Sequence, residues 1–184
     1  MQDNDFRYRG KVTAVEHHYY LVGPIGDAEE YLDLCAALAE AAEGDTFHIH
    51  INTVGGDLAT VAQIIHHMRK SKAYIITHAE GQVFSGGSLI FFCGHALNVG
   101  ELSEFLAHCP AGGTGGKMGD IMDSAQHMRA YTTDFYMNVY TPFYSEAEIK
   151  KVLKGKELYE TAAQMEERLI KAKKFFEEEE VVED

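Results

Sequence analysis

An α/β fold with parallel strand-helix-strand crossovers is what the chain predicts, and three observations predict it. Apolar segments of period two alternate with segments of helical period, glycine-rich breaks stand at the junctions, and strand segments are joined through helices. Tyr19 to Val22 reads as a short strand ending in the turn-prone Gly23-Pro24, and Ala28 to Ala42 as a helix closed by Gly44. Phe47, Ile49 and Ile51 alternate with His48, His50 and Asn52, the signature of a second strand, broken by Thr53-Val54-Gly55-Gly56. Asp57 is placed to cap a helix from Leu58 to about Arg69, which leads into a strand over Ala73 to Ala79.

Beyond that unit, Gly81 to Gly94 reads as a glycine-punctuated turn running into a small apolar helix, followed by short strands at Ala96 to Val99 and Glu104 to Cys109. The rest reads as helical: a long segment from about Asp120 to Tyr144, one opened by Ser145 with Glu148 three residues on, and one opened by Thr161 with Gln164 three residues on. No internal repeat and no proline- or serine-rich linker interrupts the chain. The 184 residues, 46% hydrophobic, suit a single domain spanning 1–184.

Composition narrows the partners. A net charge of −13 lacks the basic face that a nucleic-acid backbone requires. No apolar run reaches the roughly 20 residues of a membrane span, and Met1 to Gly10 is polar where a signal peptide would be apolar, so a soluble, cytoplasmic protein is expected. Cys35, Cys93 and Cys109 form no close pair, which fits a reducing compartment. The acidic run at about 177–184 reads as a solvated, frayed end.

The chemistry concentrates in Gly81-Gln82-Val83-Phe84-Ser85-Gly86-Gly87-Ser88. A serine between a buried strand and a helix start presents its hydroxyl at a sharp turn, with free N–H groups behind it, as a nucleophile requires. The same spacing also describes an ordinary helix N-cap. Gly55-Gly56 leaves backbone N–H groups in a turn free of side chains, able to hold a developing oxyanion. His108 follows a strand and precedes Cys109-Pro110, so its imidazole can emerge at the sheet edge.

At these places the sequence resembles the proteolytic subunits of the Clp protease. Ile51-Asn52-Thr53-Val54-Gly55-Gly56 is similar to the family's Ile-Asn-Ser-Pro-Gly-Gly, Gly81 to Gly87 to its Gly-Gln-Ala-Ala-Ser-Met-Gly, and Ala107-His108-Cys109-Pro110 to its Ile-His-Gln-Pro. Leu21 to Ile25 and Thr161-Ala162 extend the likeness over nearly the whole chain. The resemblance implies a crotonase-like αβ-superhelix with Ser85 as nucleophile and His108 as base. The N–H groups of Gly56 and Gly86 would form the oxyanion hole, and Glu157 would stand where the orienting aspartate does. Asp120 and Asp134 are fallback carboxylates. Gly112 to about Tyr144 would be the handle through which two rings stack around a chamber, fed by a separate ATP-dependent unfoldase with peptide or unfolded protein.

Val54 stands in place of the family's proline, Val83-Phe84 of Ala-Ala and Gly86 of Met, departures that suggest a distant branch of the kind viruses carry. An inactive ring-forming relative therefore stays open, as does a crotonase-type enzyme acting on an acyl thioester, which needs the same oxyanion N–H groups but no serine. A membrane signal-peptide peptidase would need a Ser-Lys dyad and an anchor. No cofactor is expected, since Gly116-Lys117 lacks the residues and spacing of a phosphate loop, and no metal, since the histidine pairs lack a carboxylate or cysteine at ligand spacing. His17-His18, His48, His50 and His66-His67 read as surface positions, and His78 and His95 lack the setting of His108.

Overall fold

The computed structural model describes residues 14–113 and 115–182, with side chains through Lys173. Strands β1 (Glu16–Val22), β2 (Thr46–Thr53), β3 (Tyr74–Phe84), β4 (Ala96–Val99), β5 (Glu104–Ala107) and β6 (Leu158–Thr161) form one sheet. The helices are α1 (Leu32–Glu40), α2 (Leu58–Lys70), α3 (Gly86–Phe91), α4 (Met118–Tyr140), α5 (Glu146–Leu153) and α6 (Ala162–Val182). The strand order is β1-β2-β3-β5-β6, parallel except for the antiparallel β5–β6 pair. β3 is long enough to pair β4 along its first half and β5 along its last three residues.

The predicted α/β alternation holds, and the differences have physical causes. The segment expected as one helix over Ala28 to Ala42 starts as a 3-10 turn, Ala28–Tyr31, before α1. β3 runs through Gly81 to Phe84, which glycine punctuation had assigned to a turn. A register shift between Ile51 and Thr53 lets Thr53 pair with Val83, and Val83 is fully buried. The long helix ends at Tyr140 and not at Tyr144, because Pro142 disfavours helical backbone at Thr141. β6 is a strand that the sequence reading left out. The acidic run through Val182 continues the backbone of α6, and 183–184 lie outside the described residues.

One face of β1 to β3 is sealed by α1 and α2. Leu21, Phe47, Ile49, Ile51, Ile75 and Ala79 point inward, and Val61, Ile64, Ile65 and Met68 of α2 meet them. Asp57 caps α2 as expected, its carboxylate accepting the Thr60 N–H at 2.8 Å. The second half of α4 closes the core with edge-on rings: Tyr140 meets Tyr136, Tyr144 and Phe92 at 5.1 to 5.8 Å between centroids. Its first half carries Met118, Met122 and Met128 more than half exposed. Among the described residues no helix is long and apolar enough to cross a membrane.

The chain after α4 is fastened by Arg168. Its guanidinium lies 4.1 Å over the Tyr144 ring and donates to the Phe143 carbonyl at 2.9 Å. Two carboxylates share it: Glu160 of β6 accepts at 2.9 Å, and Glu148 of α5 at 3.1 Å. Glu148 also completes the expected capping box with Ser145. Partial burial raises the Glu148 carboxyl pKa, but hydrogen bonds from Ser145 and Arg168 outweigh it and hold the group at about 2.

Glu148 therefore contributes stability that is complete above the ordinary carboxyl range and is lost as pH falls through about 2. Glu148→Gln should cost about 1 kcal/mol near neutrality, the modest value reflecting a site still open to water. Urea midpoints of wild type and variant should converge as pH is lowered from about 4.5 toward about 2.

Candidate active site

The site lies where β3 gives way to α3. Ser85 has φ 53° and ψ −119°, and among the described residues it is the non-glycine with positive φ. That strained turn is held on both sides. The Ser85 N–H donates to the Leu106 carbonyl at 2.8 Å, and its own carbonyl accepts from the Ser88 N–H at 3.0 Å and the Ser88 hydroxyl at 2.7 Å. Residues Gly86–Phe91 are all buried, so the helix behind the turn cannot yield.

Facing Ser85 is the Gly55-Gly56 turn. Gly55 has φ +88°, and a Cβ there would stand 2.6 Å from the Ser85 Cβ. A Cβ on Gly56 would stand 2.0 Å from the Ile25 carbonyl oxygen. Ile25 bridges the turn by donating to the Gly55 carbonyl and accepting from the Asp57 N–H, both at 2.9 Å. In parallel pairing the residue between those contacts turns its N–H the other way, so the Gly56 N–H faces away from Ile25. Gly86 opens α3 and its N–H has no acceptor within the helix. The two N–H groups are neighbours: a Cβ on Gly86 would lie 3.6 Å from the Gly56 nitrogen. Buried Thr53 fixes the turn, accepting the Gly55 N–H at 3.0 Å while its hydroxyl donates to the Gly23 carbonyl.

His108 is the first residue after β5, half-buried, and lines the same cleft of about 1110 Å³ as Ser85, Gly55 and Gly56. No hydrogen bond joins the Ser85 hydroxyl to the His108 ring among the described residues. Glu157 sits one residue before β6. Because Ala107 pairs with Leu158 in the antiparallel ladder, the next positions outward are His108 and Glu157, on adjacent strand ends. The Glu157 side chain is exposed, and its carboxylate lies beside the Tyr159 hydroxyl, pushing that phenol's pKa up. Asp120 and Asp134 are exposed on α4. Phe84, the bulky neighbour of Ser85, turns its ring edge-on to Tyr159 at 6.2 Å, and Val54 stands half exposed at the rim of the cleft.

Two tyrosines of α4 join the site, and the sequence reading missed both. The Tyr140 hydroxyl lies 2.8 Å from the Ser88 hydroxyl; since Ser88 donates to the Ser85 carbonyl, Tyr140 is the donor of this pair. The Tyr136 hydroxyl donates to the His108 carbonyl at 2.8 Å. Burial pushes both phenols well above their ordinary pKa, so both remain donors across the range in which proteins fold. One helix thus ties the serine turn to the histidine loop. The only signal in the sequence was the i, i+4 spacing of Tyr136 and Tyr140, which reads equally as core.

Tyr140→Phe and Tyr136→Phe should each lose about 1 kcal/mol of stability, the ordinary worth of a buried hydrogen bond. They should also slow the reaction of Ser85 with a fluorophosphonate probe at temperatures far below unfolding, which a purely structural loss would not do.

Residues 16–167 match the family model described as Clp protease. No curated protein matches the chain. The family fold is crotonase-like, in agreement with the mixed sheet-and-helix build described above. The matched span is most of the chain, and the chain belongs to the Clp protease family.

Proposed function

We propose that the chain is a serine endopeptidase of the Clp proteolytic-subunit type. The observation that carries this reading is Ser85, held at φ 53° against two glycine N–H groups in a cleft that His108 also lines. A helix cap needs no such strain, and neither does an acyl-thioester enzyme that works without a nucleophile. A cleft of about 1110 Å³ has room for a peptide segment.

In this mechanism the Ser85 Oγ attacks the peptide carbonyl carbon as His108 takes its proton. The carbonyl oxygen becomes the oxyanion held by the Gly56 and Gly86 N–H groups. The C–N bond then breaks, His108 returns the proton to the leaving amine, and water activated by the same ring releases the acyl chain from Ser85. The pairing of Ala107 with Leu158 supports Glu157 as the carboxylate that accepts the His108 Nδ1–H. To do so it must swing from Tyr159 to the imidazole. The exposed methionines of α4 would be covered by a second ring of subunits, giving a closed homo-oligomeric chamber that an unfoldase supplies.

A fluorophosphonate probe followed by peptide mapping should label Ser85, and His108→Ala should abolish the label. Ser85→Ala should lower cleavage of a fluorogenic peptide by roughly 10⁴-fold or more; cleavage at the wild-type rate would remove the assignment. Glu157→Gln should cut kcat by roughly two to four orders of magnitude with KM little changed, and an unaltered kcat would leave a dyad. Light scattering should give a mass of many subunits at micromolar concentration, and a monomer would dismiss the chamber.

A further inference from the structure

Four imidazoles stand side by side on the sheet face opposite α1 and α2. The register places His18 of β1 beside His48 of β2, and His50 of β2 beside His78 of β3. Their rings stack at centroid distances of 4.6 Å for each of these pairs. Glu16, two residues before His18, points to the same face. A donor atom from each of Glu16, His18 and His48 lies within 4.8 Å of the others. This cluster belongs to the starting ends of β1 and β2, whereas Ser85 and His108 follow the finishing ends of β3 and β5.

We propose that Glu16, His18 and His48 form a binding site for a single Zn²⁺ ion. The hydrogen bonds around the three residues select which ring nitrogens are free. Glu80 accepts from His50 Nδ1 at 2.5 Å, which in neutral His50 leaves Nε2 as a bare lone pair. That lone pair accepts the Nδ1–H of His18 at 3.0 Å, so the proton of neutral His18 is on Nδ1 and its Nε2 is bare. This is the carboxylate-to-histidine orientation by which metal-binding imidazoles are fixed, extended through one further ring. A second chain serves His48. Its Nδ1 lies 2.9 Å from His78 Nε2, and His78 Nδ1 lies 3.2 Å from the Asn98 amide nitrogen. In that orientation the amide donates to His78, His78 Nε2–H donates to His48, and the His48 proton is on Nε2. Binding the ion therefore requires the amide to turn its oxygen to His78, which moves the protons to His78 Nδ1 and His48 Nδ1 and leaves His48 Nε2 bare.

Two imidazole nitrogens and one carboxylate oxygen, with a fourth position open to water, are a donor set for a borderline divalent ion. Hard cations prefer all-oxygen shells. Zinc–ligand bonds of about 2.0–2.1 Å bring ligand atoms to roughly 3.3 Å apart, so the site must contract slightly. Glu16 is exposed and can move in by rotation, while His18, exposed but hydrogen-bonded to His50, can only tilt about that bond. The sequence reading excluded a metal because no carboxylate stood at ligand spacing from the histidine pairs. Across the sheet, the partner of His18 is 30 residues away in sequence and directly adjacent in space.

The test uses the full chain without a polyhistidine tag, incubated with Zn²⁺ alone, passed through gel filtration and assayed for zinc by atomic emission. Wild type should retain one Zn²⁺ per chain, and Zn²⁺ should raise its thermal midpoint. His18→Ala, His48→Ala and Glu16→Gln should each lose or sharply weaken retention. Glu80→Gln, which touches no metal, should weaken it by about tenfold to a hundredfold through the His50 orientation. The control His66→Ala/His67→Ala, which removes the adjacent pair on α2, should keep the ion, and Ser85 labelling should be unchanged in every variant. His18 and Glu16 are exposed, so their variants stay informative even if His48→Ala fails to fold. Zinc absent from wild type, retained equally by His18→Ala and Glu16→Gln, or lost with the α2 pair would overturn the site.

Discussion

A serine at φ 53° and ψ −119° costs on the order of 1–3 kcal/mol of backbone strain, and the structure around it is arranged to hold that conformation. Its N–H is committed to Leu106 of β5 and its carbonyl to Ser88, so the turn is fixed by a neighbouring strand and by the helix it opens. β3 must remain a strand up to Phe84 for β5 to reach Ser85, which is why the sheet carries β5 beside the end of β3 and β4 beside its start. The opposing turn must be Gly55-Gly56, since a single methyl group on either would collide with Ser85 or Ile25. The Ser85 turn therefore dictates residues in three separate segments.

The aromatic helix α4 joins that arrangement to an exposed surface. Its second half is core, with Tyr136 and Tyr140 about 1% exposed, and those residues hold the His108 carbonyl and the Ser88 hydroxyl. Its first half is solvated and apolar in places.

Much of this was legible in the sequence because it is local. Alternation in Phe47 to Ile51, the Asp57 cap and the Ser145–Glu148 box are decided within four or five residues, and each formed as expected. The glycines flanking Ser85 were legible for the same reason. What escaped depends on contacts between distant segments. Leu158 to Thr161 becomes a strand only because β5 offers an antiparallel edge, and four residues with a charge among them carry no pattern of their own. Tyr136 and Tyr140 reveal their polar ends only when the residues they touch, 28 and 52 positions away, are known. The end of α4 at Tyr140 is local as well, since Pro142 disfavours helical backbone at Thr141.

The histidine face shows how strictly the core controls even the exposed chemistry. Strand side chains alternate, so a slip of one residue in β2 would bring His48 and His50 inward and put Phe47, Ile49 and Ile51 in water. Each of those three apolar side chains is at most 2% exposed, and burying such a side chain is worth about 1.5–3 kcal/mol, so the slipped register is excluded by several kcal/mol before any unpaired imidazole is counted. The same argument holds for β3, where Ile75 and Ala79 bracket His78. The stacking of four imidazoles is thus imposed by the hydrophobic side of the sheet. Their hydrogen-bond chains to Glu80 and Asn98 then decide what the outer side can bind.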